Sequence, residues 1–213
     1  MPTISYKLKD GRSINGATTI LKNCGWGSDA LIFWAWKRGK DFPDEKLYDK
    51  QQEYFDAGTL AHLFAEYTLR DELLAPEIIA QYSKEVQAQA KQTHKNFLHW
   101  LKSNKMKVIA LEKHMVSEEY KYGGTPDLIA TVNKKLAVVD WKSSKAVYDT
   151  YWLQLGAYRQ LVKEDMGLDV QEVHILRISK DYSGWDHMYR QIQPWMWQGF
   201  EACLTLHNIR KAL

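Results

Sequence analysis

The chain has 213 residues, 45% of them hydrophobic and 26% charged, and a formal net charge of +3. These values are ordinary for one soluble globular domain with a sizeable core, and the charge is too small to identify a polyanionic partner by itself. No apolar run is long enough to cross a bilayer and the N-terminus lacks a signal-peptide core, so the expected compartment is the reducing cytoplasm. Only two cysteines are present, Cys24 and Cys203, without a C-x-x-C pair, and neither a zinc site nor a disulfide framework is indicated. Nine Trp and twelve Tyr are enough to furnish core, groove wall and surfaces that stack on bases.

Ile4 to Leu21 holds two short strands around the Asp10-Gly11 turn. Ser28 is placed to cap a helix through Ala30-Leu31-Ile32-Phe33-Trp34-Ala35-Trp36. That helix either walls a substrate channel or packs on the core through Leu31 and Trp34, and packing is the expectation. Lys37 to Asp56 is charged, contains Pro43 and reads as a loop that ends in a helix start. Gly58 to Leu74 has the period of an amphipathic helix, with Leu60, Leu63, Phe64, Tyr67 and Leu74 on its apolar side. His62 lies between them as a structural histidine or a ligand, and Glu66 shares its face as a partner or a solvated carboxylate. Pro76 suits the first turn of a long helix reaching Lys102, whose Lys84, Lys91 and Lys95 face phosphate or solvent. Met106 to Met115 contains a strand that ends near Glu112, which is either a metal or water ligand or a carboxylate facing solvent.

The most informative stretch is Gly123 to Tyr158. Thr125 to Thr131 and Leu136 to Trp141 read as strands separated by Asn133-Lys134-Lys135. Alternate residues of a strand share a face, so Asp140 and Lys142 project together. Pairing Asp127 with Lys142 and Ile129 with Asp140 would add Asp127 to that face; a slip of one residue would remove it. A helix follows in which Gln154 and Tyr158, four apart, share a face. Beyond it come a strand at Val170 to Ile178, a turn at Asp181-Tyr182-Ser183-Gly184, a short strand at His187 to Ile192 and a helix from Pro194 to Leu213. Strands around a helix, flanked by further helices, predict an α/β domain with a mixed central sheet, and no linker divides it. Buried charges of this kind need a partner or a metal. A D-x-K alone reads as a salt bridge; Glu112, G-x-x-D, D-x-K and Q-x-x-x-Y in that order are far more specific.

Gly124-Thr125-Pro126-Asp127, Asp140-Trp141-Lys142 and Gln154-Leu155-Gly156-Ala157-Tyr158 resemble the motifs of the PD-(D/E)xK nuclease superfamily, in its RecB-like exonuclease branch. Gly58-Thr59-Leu60-Ala61-His62 resembles that branch's helix-borne histidine motif. The likeness spans about 58–178, with N- and C-terminal helical elaborations on a single domain over 1–213. It implies a restriction-endonuclease-like fold and metal-dependent DNA cleavage with one or two Mg²⁺ or Mn²⁺ ions. Asp127 and Asp140 suit such an ion as hard ligands, with the Trp141 backbone carbonyl, His62 and, more weakly, Glu112 beside them. Lys142 orients or deprotonates water or stabilises developing charge. Gln154 and Tyr158 position the lysine and contact nucleic acid, while Ser143, Ser144 and Lys145 are placed to meet phosphate. Two cysteines cannot hold the four-cysteine iron–sulphur cluster of some relatives. GxxxxGK[ST] is absent, so any unwinding needs a partner. A small member of this branch looks like a phage or mobile-element exonuclease of recombination, replication or repair, working beside a single-strand annealing or binding protein. Two rival readings are a flap or other endonuclease of the same fold and a catalytically silent nucleic-acid-binding module.

Overall fold

A computed structural model describes residues 5–26, 28–44, 51–144, 146–178 and 185–213, with backbone alone for 28–31 and 51–55. The chain runs β1 (Tyr6–Lys7), β2 (Ser13–Ile14), α1 (Ala17–Cys24), α2 (Ser28–Asp41), α3 (Gln51–Leu69), α4 (Pro76–Ile79), α5 (Lys84–Ser103). It continues β3 (Met106–Leu111), β4 (Met115–Ser117), β5 (Tyr122–Gly124), β6 (Leu128–Val132), β7 (Lys135–Lys142), α6 (Asp149–Met166), β8 (Glu172–Ile178), β9 (Trp185–Gln191) and α7 (Pro194–Ala212). Five strands make the central sheet, in the order β3-β6-β7-β8-β9. Among the described strands of this sheet, only β7 and β8 are parallel, and α6 is the crossover that a parallel pair requires. The result is the expected mixed α/β sheet of a restriction-endonuclease-like core, flanked by helices.

Two layers cover the sheet. On one face Ile129, Val138, Val173 and Ile175 pack against α1, α6 and α7 through residues such as Ile20, Leu155 and Phe200. On the other, Leu128, Ala130, Val139 and Leu176 meet Phe97 and Trp100 of α5 and Ala65 of α3. Because neighbours along a strand alternate, β7 sends Val138 to the first layer and Val139 to the second. Among the described residues, no helix is long and apolar enough to cross a membrane.

The central hairpin differs from expectation in register. Val132 pairs with Lys135 and Ile129 with Val138, two residues from the Ile129–Asp140 pairing considered above. The cause is the turn. Asn133 (φ 48°) and Lys134 (φ 75°) both adopt positive φ, the conformation of a two-residue primed turn whose twist suits a tight hairpin. A shift of two preserves the face, so Asp127, just before β6, remains on the side of Asp140.

Other boundaries moved as well. The segment 37–56 is partly helical, because α2 extends to Asp41 and α3 begins at Gln51; residues 45–50 lie outside the described residues. Asp71 at φ 57° ends α3 early, while Leu74 still buries itself from the following loop. The long helix predicted from Pro76 to Lys102 is two helices, since the Ser83 hydroxyl caps a new start by accepting the Val86 N–H at 3.2 Å. Lys84, Lys91 and Lys95 point to solvent on α5. Most unlike the expectation, Ile32, Phe33, Trp34 and Trp36 of α2 are exposed rather than packed on the core. The predicted turn at 181–184 lies outside the described residues.

At the far side of the first layer, α1 and α7 meet through Cys24 and Cys203, free cysteines whose sulphurs are 2.7 Å apart. Burial, and then the Cys24 contact, push the Cys203 thiol up to about 12. Closer to the sheet, α6 and α7 touch at Gly156, where an added Cβ would stand 2.6 Å from the backbone of Met196. Backbone cannot swing aside as a side chain can. Gly156→Ala is therefore expected to lower the free energy of unfolding by roughly 1–3 kcal/mol in urea titration, by forcing the two helices apart; an unchanged midpoint would refute this contact.

Candidate active site

The charged residues of the motif converge where β7 ends. Asp140 and Lys142 point to the α6 side of the sheet, and Lys142 Nζ lies 2.5 Å from Asp140 Oδ2. Asp127 arrives from the neighbouring strand and is held by main chain: its Oδ2 accepts the Trp141 N–H at 2.8 Å, and its carbonyl accepts the Glu112 N–H at 3.1 Å. Glu112 follows β3 directly, with φ 45°, and this bend turns its carboxyl toward Asp127. His62 comes from the opposite layer. The small, buried Ala61 and Ala65 beside it let α3 approach the sheet, and His62 Nδ1 reaches within 3.8 Å of Asp127 Oδ1. Ligand atoms of His62, Glu112 and Asp127 all lie within 4.8 Å of one another.

Helix α6 supplies the other wall. The Gln154 oxygen accepts from Lys142 Nζ at 3.0 Å, and its amide nitrogen donates to Tyr158 Oη at 2.7 Å and Thr18 Oγ1 at 2.9 Å. An ammonium can only donate, so the amide orientation is fixed by chemistry. Tyr158 in turn needs Gly124, because a Cβ there would stand 2.7 Å from its ring. Next to that glycine, the Thr125 hydroxyl contacts the Tyr6 hydroxyl at 2.9 Å and His114 Nδ1 at 2.6 Å, anchoring the loop that carries Asp127.

Electrostatics set the site apart from a simple salt bridge. Burial pushes Asp140 up to about 6 despite the nearby Lys142, and does the same to Asp127. Glu112 rises furthest, to about 9, through burial and then the charges of Asp127, Glu66 and Asp140. Burial opposes the charge on Lys142, but Asp140 and Asp127 outweigh it and hold the ammonium above its ordinary value. Among the described residues, three carboxyls thus face one ammonium. Fully ionised, they leave two negative charges in excess, which a divalent cation would neutralise. Oxygen donors with one imidazole are a suitable set for a hard cation or Mn²⁺.

Among the residues named from sequence, His62, Glu112, Asp127, Asp140, Lys142, Gln154 and Tyr158 stand together. Trp141 touches the site through its N–H, with its indole edge-on to His62 at 6.3 Å between centroids. Ser143 lines a small pocket with His62, Trp141 and Lys142. The Ser144 hydroxyl donates to the Ala146 carbonyl at 2.7 Å, and Lys145 lies outside the described residues. Glu66 accepts from Arg70, the residue after the end of its helix, at 2.6 Å. Four contributors escaped the sequence: Tyr151, Thr18 and the two partners of Thr125, Tyr6 and His114. Tyr151, whose ring centroid is 5.0 Å from Lys142 Nζ, is three residues before Gln154, so helical spacing would have found it. Thr18 and the Tyr6–Thr125–His114 cluster meet the motif only through tertiary folding.

Fold and site together define the class, a restriction-endonuclease-like α/β protein with an acid–lysine centre. The profile of the PD-(D/E)XK nuclease superfamily matches residues 34–191, and the chain belongs to that superfamily. Its nucleases use divalent metals, which agrees with the donor set present. No curated protein matches the chain. Among solved structures, an exonuclease-designated protein from Eubacterium rectale is similar over 84% of this chain and 71% of its own, at 14% identity and TM-score 0.48. The alkaline exonuclease LHK-Exo from Laribacter hongkongensis covers 58% of this chain and 65% of its own, at 10% identity and TM-score 0.36. Its complex with dAMP covers 74% and 84%, at 9% identity and TM-score 0.40.

The shifted carboxyls give stability a definite pH dependence. In the unfolded chain all three ionise at about pH 4. The folded chain keeps these protons to about 6 for Asp127 and Asp140 and about 9 for Glu112, so it binds more protons across that window and loses stability as pH rises through it. Thermal melting in EDTA is expected to give a falling midpoint from about pH 5 to about pH 9. Glu112→Gln should flatten the alkaline part, and Mn²⁺ should restore stability most at high pH. A midpoint rising over that interval in the wild type would contradict the assignment.

Proposed function

We propose that the protein is a Mg²⁺- or Mn²⁺-dependent DNA exonuclease that hydrolyses phosphodiester bonds from DNA ends, in phage or mobile-element recombination, replication or repair. The observation that carries this reading is the excess of carboxylate over ammonium at one point, where His62, Glu112 and Asp127 ligand atoms gather beside the Asp140–Lys142 pair. Asp127 and Asp140 hold the ion, the Trp141 carbonyl and His62 add donors, and Glu112 completes the set when it ionises. The chemistry supplied by a bound divalent cation is Lewis-acid polarisation of the phosphate and neutralisation of its charge.

The protein groups do the rest. Lys142, kept cationic by Asp140 and Asp127, is suited to orient the attacking water and to stabilise charge developing on phosphate oxygen, rather than to begin as a base. Gln154 aims the ammonium, and the Tyr151 ring limits its travel from one side. Ser143, which lines the small pocket beside His62 and Lys142, is suited to contact substrate phosphate. Exonuclease is favoured over an endonuclease of the same fold by the Gln154–Tyr158 pair, which resembles the motif of the RecB-like exonuclease branch. A single-strand annealing or binding protein is the expected partner.

Degradation of end-labelled linear DNA and of closed circles, with Mg²⁺, Mn²⁺ or EDTA, tests the proposal. Linear DNA should be lost only with metal. Asp140→Asn should reduce the rate by about 10³-fold or more and Lys142→Ala by roughly 10²- to 10³-fold, the range for losing a preorganised charge at a transition state. Cutting of circles would replace the exonuclease with an endonuclease, and binding without cleavage under either metal would leave a silent module.

A further inference from the structure

We propose that α2 is a base-stacking helix that holds single-stranded nucleic acid. The observation is independent of the metal site, although the choice of occupant rests on the nuclease reading above. Five large aromatic side chains fall between residues 26 and 42, and Trp26, Phe33, Trp36 and Phe42 are 53%, 62%, 59% and 48% exposed, with Trp34 at 38%. Scattered apolar residues on a surface need no explanation, but exposed rings in contact with each other and with cations do. Phe33, Trp36 and Lys40 are three and four residues apart and form one stripe along the helix. Phe33 and Trp36 have ring centroids 5.8 Å apart, and Lys40 Nζ lies 5.5 Å from the Trp36 centroid. A second pair, Arg38 on Phe42 at 5.3 Å, repeats the arrangement.

Charge decides between occupants. From Ile32 to Asp41 the helix carries the cations Lys37, Arg38 and Lys40 against the single carboxylate Asp41. A second copy docked on this face would bring those cations against their own kind. A phosphate backbone would be attracted to them, and its unstacked bases would find aromatic faces with cations between them, the combination that single-strand binders use. A duplex keeps its bases stacked on each other and cannot use the rings. In chain order α2 falls between two helices that contribute to the active site: α1 before it carries Thr18 against Gln154, and α3 after it carries His62.

Fluorescence anisotropy of labelled oligo-dT and of a blunt hairpin duplex, both in EDTA so that nothing is cut, tests the idea. The double variant Phe33→Ala/Trp36→Ala should weaken oligo-dT binding about 5- to 150-fold, the equivalent of losing one stacked base, with little change for the duplex. Trp36→Tyr, which keeps a ring, should retain most of the affinity, and Lys40→Gln should reduce the salt dependence. Circular dichroism of each variant separates lost binding from lost folding, and a double variant that did not fold would leave Trp36→Tyr against Trp36→Ala to decide. Equal oligo-dT affinity in wild type and folded ring-deleted variants would overturn the proposal, as would a wild-type oligomer that the double variant dissociates. Failure of the nuclease reading looks different: α2-dependent oligo-dT binding would persist while no DNA was cleaved in metal.

Discussion

Three carboxyls and one ammonium share a poorly hydrated space at the end of β7, and much of the surrounding architecture serves to hold them there. At an effective dielectric of about 20, like charges about 4 Å apart repel by roughly 4 kcal/mol. Burial is the main reason that Glu112, Asp127 and Asp140 all retain protons beyond the usual carboxylate range, and one lysine does not offset it. A buried ion pair chosen for stability would carry equal and opposite charge with its remaining oxygens satisfied. This one is unbalanced toward the negative, which is the condition that favours a divalent cation.

Each layer of the fold contributes one constraint to that imbalance. The tight turn at Asn133–Lys134 sets the hairpin register, and the register puts Asp127 beside Asp140. The crossover helix α6 lies over the same face and fixes the Lys142 ammonium through Gln154, whose own amide is fixed by Tyr158 and Thr18. From the other layer α3 comes close enough, on its alanines, for His62 to reach around the strand end. Glycine at 124 and 156 gives the helix room on both sides, against the hairpin and against α7. A change in the turn, the glycines or the alanines would move a charge relative to the others without replacing any of the charged groups themselves.

The sequence made the site more legible than its scaffold. Asp140-x-Lys142 and the four-residue spacing of Gln154 and Tyr158 obey local periodicity, so their shared faces followed from strand and helix geometry alone. The parity and register of the hairpin were left open, because two consecutive positive φ values at Asn133 and Lys134 carry no Gly to announce the turn. Ser83 hid a helix start inside an amphipathic run, since a serine mid-pattern reads equally well as a surface residue. Thr18, Tyr6 and His114 left no local signal: each is more than ten residues from its partner in the chain. The α2 rings were misjudged because hydrophobicity predicts burial, whereas the helix shows them to solvent.

An anomalous diffraction experiment on crystals grown with Mn²⁺ tests the central claim most directly. The account predicts an anomalous peak within coordination distance of Asp127 and Asp140, about 2.0–2.3 Å from carboxylate oxygen, with His62 turned toward it. Absence of a peak at saturating Mn²⁺, or a peak only at some other cluster, with Lys142 still paired to Asp140, would show that these charges form a structural ion pair and not a metal centre.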